Sequence, residues 1–110
     1  MLEGLLGNAT AEKVLLYLEQ FEEGYARRVA EDFGGVAVSQ VRAQLERFEA
    51  AGLLVSQLQG RTRLYTWNPR YAFLEEVRAL LRKALRALPE PERRRYFVQR
   101  RRPRRAGKPL

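Results

Sequence analysis

Val38-Ser39-Gln40-Val41-Arg42-Ala43-Gln44-Leu45-Glu46-Arg47-Phe48-Glu49-Ala50-Ala51-Gly52 is the stretch on which the fold turns. Val38, Val41, Leu45 and Phe48 recur at spacings of 3, 4 and 3, one stripe along a cylinder of 3.6 residues per turn. The pattern predicts a helix from about 37 or 39 to 51. Ser39, Arg42, Ala43, Glu46 and Arg47 lie off the stripe, and Gly52 closes the helix. No Ser or Thr stands at position 37, so the helix starts uncapped at Ala37 or begins at Ser39.

Upstream, Tyr25, Val29, Ala30 and Phe33 predict a short apolar-faced helix over 25–33, with Arg27, Arg28, Glu31 and Asp32 outside. Gly34-Gly35 ends it, because glycine takes the left-handed conformation without steric cost. Before that, Val14, Leu15 and Leu18 predict a helix over 9–20, with Asn8 or Thr10 able to accept from its first N–H groups. Gly24 reads as a break. Downstream, the period changes to two. Residues 53–59, Gly60 and residues 61–68 read as a hairpin, with Arg63, Tyr65 and Trp67 on one face of the return strand. Asn68-Pro69 stops that strand.

A long helix follows over 71–88. Phe73, Val77, Leu80, Ala84 and Leu88 form one stripe, and Leu74, Leu81 and Leu88 a second. Together they cover more of the cylinder than packing on a small body requires, which leaves one face for a partner helix. Phe73, Leu74, Val77, Leu81 and Leu88 are thus expected at a homodimer interface; a single wide core contact is the alternative. Pro89 and Pro91 end this helix. The division expected is a domain over 1–88 and an Arg-rich tail over 89–110. Tyr96-Phe97-Val98 could dock on the body or on a partner, or anchor a short helix opened by Pro91.

Composition narrows the chemistry. At 110 residues the chain holds one domain. It has no cysteine and no histidine, one aspartate (Asp32) and two serines (Ser39 and Ser56). Disulfides and thiolate or imidazole metal sites are excluded, two of the three residue types of triad hydrolysis are missing or nearly so, and neither a cofactor nor an enzymatic activity is expected. No basic-then-apolar leader and no membrane-length apolar run occur, so the expected location is cytoplasmic. The net charge of +8 is concentrated. Residues 1–88 carry 12 Lys/Arg and 11 Asp/Glu, whereas 89–110 carry 9 and 2. A near-neutral body with a cationic tail points to a polyanion, although 18 Arg against 3 Lys also fits compositional drift.

The order helix, helix, glycine-marked turn, helix, hairpin, helix resembles a winged helix-turn-helix, an α+β fold that is mainly α with a small β-hairpin. Tyr25 to Val36 looks like the helix-turn of bacterial and archaeal DNA-binding regulators, with Ala30 at the small contact position and Gly34 in the turn. Val41 to Leu54 resembles the recognition-helix end of the ArsR and MarR groups, where a helix closing in Leu-Glu-x-Ala-Gly-Leu runs into the wing. Tyr65-Thr66-Trp67-Asn68-Pro69 matches the wing's return strand. The similarity covers about residues 5–88. The paired glycines make the turn about one residue longer than the tightest pattern. The Cys and His ligands of metal-sensing ArsR proteins are absent.

The resemblance implies double-stranded DNA as partner, bound by a homodimeric transcriptional regulator of repressor-like type, with any small-molecule effector unknown. A helix fits the major groove, so Ser39, Gln40, Arg42 and Ala43 are expected at base edges, Arg42 pairing with guanine. Arg47, Arg27, Arg28, Arg61 and Arg63 are expected on phosphates or in the minor groove. The tail would add phosphate contacts through Arg93, Arg94 and Arg95, then Arg100, Arg101 and Arg102, then Arg104 and Arg105. Each has an ordinary alternative: a solvated helix face for the first group, edge-strand charges for Arg61 and Arg63, and core packing for Tyr65 and Trp67. The competing function is a protein-interaction module whose basic tail tethers RNA or another nucleic acid.

Overall fold

The computed structural model describes residues 1–97 of the chain. A short helix α1 (Glu3–Leu6) precedes α2 (Ala9–Phe21), which runs through the centre of the molecule. Asn8 caps α2, its side-chain oxygen accepting from the Ala11 N–H at 2.7 Å. A two-residue strand β1 (Glu23–Gly24) leads into α3 (Ala26–Phe33), and α4 (Val38–Ala50) follows. Gly34 and Gly35, at φ 68° and 74°, make the turn between α3 and α4 in a region that side chains rarely enter. Ala37 is the N-terminal cap of α4 and its side chain offers no acceptor, so this helix does start uncapped.

The hairpin is β2 (Leu54–Gln59) and β3 (Thr62–Trp67). Gln59 pairs with Thr62 across a two-residue turn whose first residue, Gly60, sits at φ 63°. Gly24 does more than break the chain: β1 pairs antiparallel with β3, giving a three-stranded sheet in the order β1-β3-β2. Asn68 fastens the foot of the hairpin, donating to the Gly52 carbonyl at 2.8 Å.

Alternation and stripe meet in one core. Val14, Leu15 and Leu18 of α2, Val29 and Phe33 of α3, and Val41, Leu45 and Phe48 of α4 are buried in it. Tyr65 and Trp67 join from β3, as core packing requires, and Arg78 stacks over the Trp67 ring at 5.3 Å. The long helix α5 (Leu74–Ala87) lies against α2, and its placement corrects the interface expected from sequence. Leu81 is 0% exposed in the single chain and Ala84 and Leu85 are buried beside it, so Leu81 belongs to the body. Leu74, Val77 and Leu88 are half-buried against the same core, and Phe73 caps α5 from outside it, exposed. The broad apolar surface of α5 is thus mostly one wide core contact, with Leu80 and the capping Phe73 as the large apolar side chains standing clear of it.

The body also continues past residue 88. Pro89 turns the chain into α6 (Glu90–Tyr96), with Pro91 in its first turn, and Phe97 packs edge-on against Phe33 at 5.5 Å between ring centres. Tyr96 lies 5.1 Å from the same ring. The aromatic pair therefore docks on the body. Among the described residues no helix is long and apolar enough to cross a membrane.

Candidate nucleic-acid interface

The exposed side of α4 opens toward the hairpin. Ser39, Gln40, Arg42 and Ala43 are all exposed on its first two turns, because the buried stripe of Val41, Leu45 and Phe48 turns the opposite side inward. Between α4, the start of α3 and the hairpin lies a groove of about 410 Å³. Arg27, Arg42, Arg61 and Arg63 all line it, together with Glu46 and Tyr65. Four arginines that are up to 36 residues apart in sequence are thus gathered on one concave surface.

The charges in this groove are held differently. Arg27, Arg42 and Arg61 have no hydrogen-bond or ion-pair partner among the described residues. Arg63 donates to the Ser56 hydroxyl at 3.1 Å, and that hydroxyl donates to the Glu49 carboxylate at 2.7 Å. This relay ties the hairpin to α4. Burial pushes the Tyr65 hydroxyl's pKa up, Glu49 and Glu46 push it further, and Arg63 and Arg42 pull it back. One carboxylate, Glu46, thus lines the groove beside the four arginines.

Five of the expected contacts are arranged otherwise. Arg28 is half-buried and pairs along its own helix with Asp32 at 3.4 Å; Asp32 in turn accepts from the Tyr17 hydroxyl at 2.8 Å. Arg47 is exposed and makes its hydrogen bonds within the chain. It donates to the Leu6 carbonyl at 2.7 Å and to the Gln44 side chain at 2.9 and 3.0 Å, and stacks over Phe48 at 4.6 Å. Its guanidinium is a strut holding α1 against α4. Arg93, Arg94 and Arg95 sit on α6 rather than in a free tail: Arg94 pairs with Glu90 and Arg95 lies over Tyr96 at 5.2 Å. Arg100, Arg101, Arg102, Arg104 and Arg105 lie outside the described residues.

Ser56 and Glu49 are the residues the sequence reading missed. Once the two-residue turn sets the register, Ser56 falls opposite Tyr65 and on the same face as Arg63, which is the signal that would have found it. Among the described residues no group of acidic side chains could hold a metal ion.

A solved structure of a transcriptional regulator of the MarR family from Rhodococcus sp. RHA1 superposes with a TM-score of 0.53 over 83% of this chain and 69% of that one, at 20% identity. The fold is a winged helix-turn-helix. In that frame α3 and α4 are the two helices of the motif, and the β2–β3 hairpin is the wing. No family model matches the sequence, and no curated protein is similar to it.

Proposed function

We propose that this chain binds double-stranded DNA in a sequence-specific way and regulates transcription as a homodimer, in the manner of a repressor. The observation that carries the reading is the shared groove of Arg27, Arg42, Arg61 and Arg63 beside the exposed first turns of the recognition helix. A helix in the major groove presents its N-terminal side chains to base edges. Ser39, Gln40, Arg42 and Ala43 occupy those turns, and Arg42 has the donor fork that pairs with guanine O6 and N7. Arg61 and Arg63 at the wing, with Arg27 at the start of α3, would neutralise flanking phosphates or enter a narrow minor groove. Arg28 is a weaker candidate for the same task, being already paired with Asp32.

The dimer would form on the part of α5 that the body leaves uncovered, around Phe73 and Leu80, with Leu74, Val77 and Leu88 at its edge. Recognition helices about one DNA turn apart then call for an inverted repeat. The arginines after residue 97 would add phosphate contacts that raise salt dependence without adding sequence information. Because Phe97 is buried on Phe33, the truncation that tests this starts at residue 98 rather than 89.

Selection of bound duplexes from a random pool at about 150 mM salt tests the reading, since non-specific binding is weak there. Enrichment of an inverted repeat with half-sites about 10 base pairs apart is expected. A protein-docking module would retain no duplex, and a non-specific binder would retain the pool without enriching a motif.

A further inference from the structure

The basic groove beside α4 holds one side chain for which its arginines give no reason. Leu58, on β2, lines that groove and is 61% exposed. Strand pairing sets it directly across from Arg63, so the two share a sheet face with Leu54, Ser56, Tyr65 and Trp67. Leu54, Tyr65 and Trp67 are buried toward the foot of the hairpin, whereas Leu58 has run past the cover of the body. The other large apolar side chains exposed among the described residues, such as Val55, Phe73 and Leu80, do not line the groove. An exposed leucine among four guanidinium groups serves neither the core nor the solubility of an edge strand.

The size of the groove limits what part of a polyanion can enter it. About 410 Å³ is the space of a small molecule, far below that of a duplex. What fits is the sugar–phosphate ridge of one strand, the ridge that separates the major groove from the minor groove. That ridge alternates an anionic phosphate with a sugar whose 2′ edge is apolar in DNA and carries a hydroxyl in RNA. The groove offers the matching chemistry: Arg27, Arg42, Arg61 and Arg63 for phosphate, and Leu58 beside Arg63 for the sugar. The hairpin hydroxyls near Leu58 are already engaged. Thr62 donates to the Gln59 carbonyl at 3.0 Å, and Ser56 donates to Glu49 while accepting from Arg63. Glu46, the carboxylate lining the groove, stands on α4 and not on the hairpin.

Resting on the DNA reading above, we infer that Leu58 packs on a deoxyribose and makes the groove selective for DNA over RNA. A 2′-hydroxyl set against Leu58 gives up its water and gains no partner there. Leu58 is thus a specificity-determining residue for the sugar, separate from the side chains at base edges.

The test uses the full chain and duplexes of its selected site, each with a single ribonucleotide walked along both strands of one half-site. Affinity is read by fluorescence anisotropy. At one or two neighbouring positions the ribonucleotide should weaken binding by about fivefold or more, the cost of a stranded hydroxyl. Leu58→Asn, close in size but bearing a donor and an acceptor, should cut that penalty to under about twofold. Leu58→Met should keep it. Because Leu58 is exposed, neither substitution should move the urea midpoint. A native chain that tolerates the ribonucleotide at every position overturns the assignment. So does a penalty of the same size in Leu58→Asn, and so does a Leu58→Asn that no longer folds, which would make Leu58 a core residue. A chain that selects no site removes the DNA reading and this contact with it. A chain that selects a site and ignores the added hydroxyl loses this contact alone.

Discussion

Two sets of arginines face opposite fates in this small body. On the α2–α5 side, Arg78 donates to Glu19 at 2.7 Å and to Glu22 at 2.6 Å, and Arg82 reaches Glu19 at 3.3 Å. On the side of the recognition helix, Arg27, Arg42 and Arg61 line a groove with no partner among the described residues. The first set joins helices; the second holds positive charge ready for something outside the chain. Arginine count alone does not separate them, because the difference lies in which carboxylates the fold brings within reach. The near-neutral balance over residues 1–88 conceals this division, since Glu19 and Glu22 pair with arginines on one side while Glu46 lines the groove with no partner among the described residues on the other.

Breaking the body itself should give the largest effect. Leu81→Ala removes a side chain with 0% exposure and is expected to cost about 3 kcal/mol by urea denaturation. Phe73→Ala, on the exposed end of the same helix, should cost under about 0.5 kcal/mol in the dissociated chain. It should instead weaken self-association in analytical ultracentrifugation. A costly Phe73→Ala with unaltered association would place the dimer elsewhere.

Next comes the held set of charges. Glu19→Ala leaves Arg78 without its buried partner, and a loss of about 2 kcal/mol is expected, below the range for fully buried pairs because both arginines keep contact with water. Arg42→Ala should move stability by no more than about 0.5 kcal/mol. Equal losses from the two substitutions would erase the contrast between the two sides.

Arg63→Ala stands between them, since it touches the groove and also closes the relay to Ser56 and Glu49. Removing one phosphate contact should make the slope of log K against log salt shallower by about 1, while the preferred site stays the same. An unchanged slope would make Arg63 a brace for the wing only.

The smallest expected effect is at alkaline pH. The Tyr65 hydroxyl titrates above its ordinary value because burial disfavours the phenolate. The unfolded chain therefore loses this proton first. Stability from this group is full below the unfolded value of about 10 and is lost as pH rises through the folded value. Urea midpoints should fall above about pH 10, and Tyr65→Phe should flatten part of that fall. Identical profiles for the two proteins would show that Tyr65 carries none of it.

Much of the fold could be read before any coordinates because its signals are local. The stripe of Val38, Val41, Leu45 and Phe48 names a helix and its buried face within eleven residues. Gly60 and the alternation around it name the wing. The rest depends on partners distant in sequence. Strand β1 has two residues, too few for alternation, and exists only because β3 pairs with it some forty residues later. Arg47 looks like any outward charge until the Leu6 carbonyl, 41 positions away, appears beside it. Leu81 and Phe73 both satisfy an apolar stripe, and only the position of α2 decides which is covered. The four arginines of the groove were readable one by one as basic residues. That they share a surface follows from the turn angle and the hairpin register together.

If the unpartnered side of α4 reads base edges as proposed, Arg42 is the side chain whose loss shows it. Duplexes should be selected from the same random pool by the native chain and by Arg42→Ala, with affinities then measured on the winning site. The native chain should enrich an inverted repeat. The variant should then lose discrimination at one base pair in each half-site, by about 1–3 kcal/mol, while keeping its fold and its binding to the rest of the site. The same motif enriched with the same affinity by both proteins would contradict it.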